Sequence, residues 1–281
     1  MIMIDLHCHT TASDGVLTPE NLVIRAGNEG VTVLAVADHD TVGGIDEAMT
    51  AARQRNICLI PAIELSLDCP TGDFHLLAYN IDHHNQQFVN TIQKLKSARE
   101  ERIIKMVQKL NTINIHLTVE DIMKECDGAA AGRPHVARAL IKKGYASDVD
   151  SAIRKYLIKG KPAYVPKEKL DIATAFKLLR RIGGVPVLAH PKSMNCADEN
   201  EFNKIIESFI QCGLAGIEVY ASMHDHADVR RFSDIARRHN LIITGGSDFH
   251  GDKNERPGYY GQNRPIPTHC ADELLEVIGR N

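Results

Sequence analysis

Short apolar runs recur along this 281-residue chain, and several end in residues that can hold a metal ion. His7 and His9 close the first run and Asp248 and His250 follow the last. Between them Asp14, His39, Glu64, His75 and His190 each fall just past a run that reads as a buried strand. So many nitrogen and oxygen donors exceed what one ion takes and suit a cluster of two or three. Donors at the ends of different strands can converge only if those ends lie together, so the pattern demands a fold that gathers strand ends on one face. A single histidine of this kind is more often a packed core or surface residue than a ligand. The joint pattern of His-x-His, a downstream Asp, Asp-His, Glu, His and a closing Asp-x-His is what points to a metal site.

Strands and helices alternate. Thr18-Pro19-Glu20 reads as a helix start, with a hydroxyl to cap it and Pro in the first turn, and Gly30 as its stop. The run from Val31 to Ala37 then delivers Asp38, His39 and Asp40. A helix over roughly Ile45 to Asn56 leads to the strand Ile57 to Ile60 and on to Glu64. The stretch from Asp73 to Tyr79 alternates like a strand paired with the segment after Glu64, which places His75 beside that carboxylate. The second half repeats the scheme: Val185 to Ala189 ends at His190, Gly216 to Tyr220 forms the next strand, and Leu241 to Thr244 leads to Gly245-Gly246-Ser247-Asp248. Such alternation implies an α/β fold with a parallel sheet, and donors at successive carboxyl ends imply a barrel with its active face there. Six or seven core strands are too few for an eight-fold barrel, so the expectation is a distorted (β/α)7 TIM-like barrel.

One stretch breaks the alternation. From Lys96 to Glu168 the pattern is helical, first an amphipathic run through Ile103, Met106, Val107 and Leu110, then Thr118 to Cys126, Pro134 to Lys143 and Ser147 to Tyr156. This assigns residues 1–95 and 169–281 to the barrel and 96–168 to a helical insertion. The insertion carries 15 Lys and Arg against 9 Asp and Glu, a balance of +6 in a chain whose net charge is -3. A basic lid over an acidic, metal-holding barrel suits an anionic substrate.

Composition removes other classes. Trp is absent and aromatic residues make up 5% of the chain, which argues against an extended base-stacking platform. Seven scattered cysteines without C-x-x-C spacing fit reduced thiols rather than a disulfide framework or a structural zinc. Cys8 lies between His7 and His9 and, by strand alternation, faces away from them. Met1-Ile2-Met3-Ile4 runs straight into Asp5 and His7 with no basic leader, and no run approaches the roughly 20 apolar residues that cross a bilayer. The expectation is a soluble cytoplasmic protein with no membrane partner; the oligomeric state is not legible.

His7-Cys8-His9, Asp14-Gly15, Asp38-His39-Asp40, Glu64, His75, His190-Pro191 and Gly246-Ser247-Asp248-Phe249-His250 together resemble the motifs of the PHP (polymerase and histidinol phosphatase) superfamily of metal-dependent phosphoesterases. Within it, Gly132-Arg133-Pro134-His135, the stretch Lys161 to Val165 and Gly216 to Tyr220 look most like the nucleoside 3′,5′-bisphosphate phosphatases and the related ribonuclease AM group. The resemblance implies three ion positions: His7, His9, Glu64 and Asp248 at one, Asp14, His39 and His250 at a second, and Glu64, His75 and His190 at a third, with Glu64 bridging. Imidazole and carboxylate donors without thiolate suit two or three divalent ions, manganese first and iron or zinc as alternatives.

The implied chemistry is in-line attack on phosphorus by a metal-bridging hydroxide, with no serine or cysteine nucleophile. The implied substrate is a phosphorylated nucleotide, a nucleoside 3′,5′-bisphosphate such as pAp that gives AMP, with 5′-to-3′ exonuclease action on short RNA as a second activity. Arg133 is the expected phosphate clamp, because its planar fork matches two phosphate oxygens. His135 is a second phosphate contact or a proton donor, Lys161 and Tyr164 are further substrate contacts, and His224 is an alternative leaving-group acid. Two other readings stay open: a histidinol-phosphate or other small phosphomonoesterase, and a noncatalytic metal-stabilised module. Asp38 or Asp40 is expected to orient an imidazole. His83-His84 sits in a polar turn with no carboxylate at ligand spacing and reads as surface. Gly43-Gly44 and Gly183-Gly184 read as turns rather than phosphate cradles.

Overall fold

Seven strands form one sheet whose spatial order follows the chain. They are β1 (Met3–Cys8), β2 (Val31–Val36), β3 (Cys58–Cys69), β4 (Gly72–Tyr79), β5 (Val185–Leu188), β6 (Gly216–Tyr220) and β7 (Ile242–Gly245). The structure is a computed structural model describing residues 2–69, 72–126, 132–194, 196–251 and 255–280. All neighbouring strands are parallel except β4, which runs antiparallel to both β3 and β5. The expected pairing after Glu64 is present, with Ser66 opposite His75, but β3 is one 12-residue strand that continues through Glu64 instead of ending at Ile60. Alternation of strand and helix therefore misses one reversal, because an antiparallel hairpin needs no crossover helix.

The sheet curls until β7 returns to β1. Among the described residues no ladder joins the two, but Cys8 at the end of β1 bridges Phe249 beyond β7, and His9 N–H donates to Phe249 O at 2.9 Å. This is a distorted seven-stranded barrel with a loosely stitched seam. Gly246 sits at that seam: a Cβ there would fall 2.1 Å from His7 Cβ, so any side chain would force the edges apart. The barrel interior is one apolar cluster in which Ile4 and Leu6, Ala35 and Ala37, Ile60 and Ala62, and Leu77 and Tyr79 alternate at the period of a strand. Tyr79 O–H crosses to Leu6 O at 3.0 Å.

Helices α1 (Pro19–Asn28), α2 (Ile45–Gln54), α3 (Gln86–Thr112), α4 (Val119–Cys126), α5 (Arg133–Lys142), α6 (Val149–Ala152), α7 (Ile172–Arg181), α8 (Glu199–Cys212), α9 (His226–His239) and α10 (His269–Arg280) accompany the sheet, with a short hairpin of β8 (Tyr259–Tyr260) and β9 (Arg264–Pro265) before the last. Thr18 caps α1 as its sequence suggests, its hydroxyl accepting from Asn21 N–H at 3.2 Å. Helices α4 to α6, a π-helical turn at Ile153–Leu157 and the second half of α3 share an apolar cluster of their own, built on Ile103, Met106, Leu110, Ile122, Val136 and Leu157. The first half of α3 packs instead into the barrel's outer layer through Phe88, Ile92 and Leu95. The boundary expected at Lys96 thus falls inside one continuous 27-residue helix, which a helical pattern alone does not divide. Among the described residues, no helix is long and apolar enough to cross a membrane.

Candidate metal centre

A one-residue slip in the β1 ladder sets up the site. Asp5 pairs with Leu34 but Cys8 with Val36, so β1 holds an extra residue between them. Leu6 consequently faces the interior while Cys8 faces the outer layer against Leu22 and Val23, and His7 and His9 both turn into the barrel mouth. Cys8 lies on the opposite face, as strand geometry requires.

Four donor atoms meet there: His7 Nε2, His9 Nε2, Glu64 Oε2 and Asp248 Oδ1. His7 and His9 lie 3.2 Å apart, Glu64 is 3.4 and 3.3 Å from them, and Asp248 is 3.5 and 3.1 Å from them. Bonds of about 2.0–2.1 Å in a tetrahedral set require donor separations of roughly 3.3–3.4 Å, and these five separations lie close to that spacing. On the other oxygen of Glu64, His75 Nδ1 and His190 Nε2 each lie 2.9 Å away and 3.3 Å from each other. His9, Asp14, His39 and His250 offer a further group of donors all within 4.8 Å of one another, with His250 Nε2 3.5 Å from Asp14 Oδ1. His39 belongs to two groups, since its Nδ1 also lies 2.8 Å from Glu64 Oε2. All nine expected donors are therefore brought together.

The outer nitrogens of the imidazoles are engaged, which aims the inner ones. His7 Nδ1 donates to Glu218 Oε1 at 3.0 Å and His250 Nδ1 to Asp248 O at 2.8 Å, while His190 Nδ1 is 3.0 Å from Ser193 Oγ. These three rings keep Nε2 for the centre, the arrangement by which proteins fix the tautomer of a metal-bound histidine, whereas His39 and His75 turn Nδ1 toward Glu64. Asp14 Oδ1, His39 Nδ1 and Glu64 Oε2 are buried and make no well-aligned hydrogen bond, meeting only other donors of the centre. Burying an unpaired polar atom costs about 1–3 kcal/mol, and a tightly held divalent ion returns on the order of 10 kcal/mol. The donor set fits such ions.

Electrostatics agree. Burial pushes Glu64 up, but the surrounding His39, His75 and His7 more than offset it and hold its carboxyl well below the usual range. Asp14 behaves alike, burial being outweighed by His39 and His250. Burial drives His39 down to about 4 despite Glu64 and Asp14, so its lone pair is free at neutral pH. Burial also works against the charge on His250, yet Asp14 and Asp248 lift it to about 10, so ion capture there releases a proton.

Three buried carboxylates that are not donors hold the frame, and two of them escape the motif reading. Asp5 accepts from His7 N, Ser247 N, Ser247 Oγ and Gly258 N at 3.2, 3.0, 2.5 and 2.7 Å, stapling β1 to the segment after β7. Glu218 on β6 accepts from His190 N at 2.7 Å as well as from His7. The available signal was a charge inside an apolar run, in Met3-Ile4-Asp5-Leu6 and Gly216-Ile217-Glu218-Val219. Asp38 accepts from Thr10 N and Thr10 Oγ1, both at 2.7 Å, and from Ser13 Oγ at 2.6 Å, so it orders the loop carrying Asp14. It reaches an imidazole only through Ser13, whose Oγ lies 3.5 Å from His9 Nδ1. Asp40 orients no imidazole; it accepts from Ser66 N at 2.8 Å and pairs with Lys167 at 2.8 Å and Arg99 at 3.5 Å.

The centre opens into a cavity of about 250 Å³ lined by Asp14, His39 and His75 on one side and by Arg99, Arg102, Arg133, Lys167 and Lys169 on the other, with Gly132, Pro134 and Ile153 completing the wall. Arg133, the expected phosphate clamp, lines this cavity. His135 is buried beside it, its Nδ1 accepting from Gly132 N–H at 3.0 Å, and burial holds it down at about 4. Lys161 is exposed and Tyr164 half-buried, and neither lines the cavity; Lys167 and Lys169 of the same segment do. His224 is buried against Phe232 with Nδ1 donating to Val219 O at 2.8 Å, outside the cavity. Arg99 and Arg102 were missed because they lie on what reads as an ordinary amphipathic helix.

The family model of the PHP domain matches residues 5–174. The chain belongs to the PHP domain family. That match spans the donors from His7 to His75, and full-length relatives span the rest. A 5′-3′ exoribonuclease from Haemophilus influenzae is 36% identical over 246 residues, covering 88% of this chain and 89% of the relative. A 3′,5′-nucleoside bisphosphate phosphatase from Chromobacterium violaceum is 32% identical over 281 residues, covering 100% of this chain and 98% of the relative. A solved amidohydrolase structure from Chromobacterium violaceum, with bound sulfate and no metal, superposes with a TM-score of 0.89 at 31% identity over 99% of this PHP chain and 96% of that one.

Proposed function

We propose that this protein is a metal-dependent phosphoesterase that removes the 3′-phosphate of nucleoside 3′,5′-bisphosphates, converting pAp to AMP, and that trims short 5′-phosphorylated RNA from its 5′ end by the same chemistry. The observation that carries this reading is the pairing, across one cavity, of a nine-donor centre with a wall of five cations. A substrate that bridges them needs one phosphoester at the centre and a second anion a short distance away.

His7, His9, Glu64 and Asp248 would hold one divalent ion, Asp14, His39 and His250 a second, and Glu64, His75 and His190 a third. Manganese, iron or zinc bound there supplies Lewis-acid charge at the phosphoryl oxygens and a source of hydroxide near neutral pH. The chain's own side chains do the rest. Gly132, Arg133 and Pro134 bring the amino-terminal end of α5 to the cavity, so the guanidinium and the helix dipole act on the same anion. Lys167, lowered to about 8 by burial and by Arg99, remains charged at neutral pH and takes the second phosphate together with Arg133. Arg99 N–H donates to His39 O at 3.1 Å and Arg102 N–H to Val165 O at 2.8 Å, so these two add charge while bracing the wall. His135 stays neutral at working pH and does not line the cavity; it braces the start of α5 by accepting from Gly132 N–H. Helix α5 and the turn at Ile153 act as the basic lid.

The cavity lies just below the roughly 300–1,000 Å³ usual for small-molecule sites, which suits one nucleotide end better than a stacked chain. The relatives carry both activities in their names, and the small volume favours the bisphosphate as main substrate. The test is product analysis with protein stripped of metal and reloaded with manganese, given pAp, AMP and a 5′-monophosphorylated RNA trinucleotide. The expected result is phosphate from pAp with AMP as the product, none from AMP, and stepwise shortening of the trinucleotide. Equal release from AMP would replace the reading with a general phosphomonoesterase. Silence on all three at full metal content would leave a noncatalytic module.

A further inference from the structure

The structure assigns a second, peripheral metal site to Asp46, His83 and His84, sharing no residue with the central cluster. The sequence offers His83-His84 no carboxylate at ligand spacing, but the fold supplies one from the first turn of α2. His83 Nε2 lies 3.0 Å and His84 Nε2 3.4 Å from the same oxygen, Asp46 Oδ1, and the three donor atoms all lie within 4.8 Å of one another. Consecutive side chains diverge in extended backbone. Here the two rings turn the same way, with centroids 4.1 Å apart and planes at 39°. The turn is fixed from behind, since Asp82 Oδ1 accepts from His84 N at 3.2 Å and Asn85 caps α3.

The His83 side chain is 11% exposed and therefore held in place, whereas Asp46 and His84 are 72% and 71% exposed and leave an open side for water ligands and ion entry. Separations of 3.0 and 3.4 Å match the donor spacing of roughly 3.3–3.4 Å around a tetrahedral ion with bonds of about 2.0–2.1 Å. Two imidazoles and one carboxylate select zinc, copper or nickel over calcium or magnesium, which prefer all-oxygen sets. Glu20 and Glu47 line the adjoining surface cleft with Asp46 and draw cations towards it. An ion at this site clips α2 to the connection that precedes α3.

The experiment titrates zinc into the manganese-loaded protein by calorimetry and counts zinc retained after desalting, in the wild type, Asp46→Asn and His84→Ala. The wild type is expected to retain one equivalent more than either variant, while both variants hydrolyse phosphoester at the wild-type rate, since neither residue touches the cavity. Equal zinc retention in all three proteins would overturn the assignment.

Discussion

The two walls of the cavity are built by different means. The metal wall is made of side chains within the strands and in the loops just beyond them, set by backbone register and braced by Asp5, Asp38 and Glu218, all buried. The cationic wall is made of long side chains reaching from α3, α5 and the segment before α7. A wall fixed by backbone position tolerates little change; a wall of long, rotamer-rich side chains shares its task among several charges. Substitutions on the first wall should therefore abolish turnover, and those on the second should weaken and re-tune substrate binding.

The largest effect is expected for Asp248→Asn, which removes one corner of the four-donor set. Turnover of pAp should fall by roughly 10²–10⁴-fold, the range for losing a group that acts in the transition state, with less manganese bound per chain by elemental analysis. Retention of full activity would break the contrast at once. Glu218→Gln comes next. It touches no substrate but holds His7 and the backbone of His190, so a loss of about 10–100-fold in metal affinity is predicted, checked by competition with a chelator.

On the cationic wall, pH is the sharper tool. On the proposed reading Lys167 binds phosphate as a cation, and burial with Arg99 beside it brings its pKa down to about 8. The KM for pAp should accordingly be flat below that pH and rise roughly tenfold one unit above it as the charged fraction falls. Lys167→Arg should remove the rise, and a KM that ignores pH in the wild type would take Lys167 out of the site. The smallest change is predicted for Lys161→Ala, whose exposed side chain does not line the cavity. Its kcat/KM should stay within about twofold of wild type, the scale of ordinary surface substitutions.

The same contrast explains how much of the molecule could be read in advance. Ligands at strand ends follow from a two-residue period and a count of apolar runs, so His7, His39, His190 and Asp248 were visible before any fold was known. The antiparallel β4 was half visible, through the pairing that puts His75 beside Glu64, but its reversal leaves no mark on an apolar run. The bulge in β1 was invisible, since one extra residue changes which side chains face inward without altering composition. Arg99, Arg102, Lys167 and Lys169 look like solvated charges in sequence, and only tertiary packing turns them into the cavity. The motif points to Lys161 and Tyr164 while Lys167 lines the cavity, because a local motif cannot tell which side chains of a loop point inward. Asp46 lies 37 residues from His83, and no local spacing rule connects them.

The central claim is that the metal wall cleaves one phosphate while the cationic wall holds the other. It is tested most directly by kcat/KM for pAp and for adenosine 3′-monophosphate in manganese-loaded wild type and Arg133→Met. A charged hydrogen bond is worth about 1.5–3 kcal/mol, so the wild type should prefer pAp by on the order of tenfold or more. The variant should lose that preference while turnover of the 3′-monophosphate stays nearly unchanged. An equal fall on both substrates, or a wild type that does not distinguish them, would contradict the account.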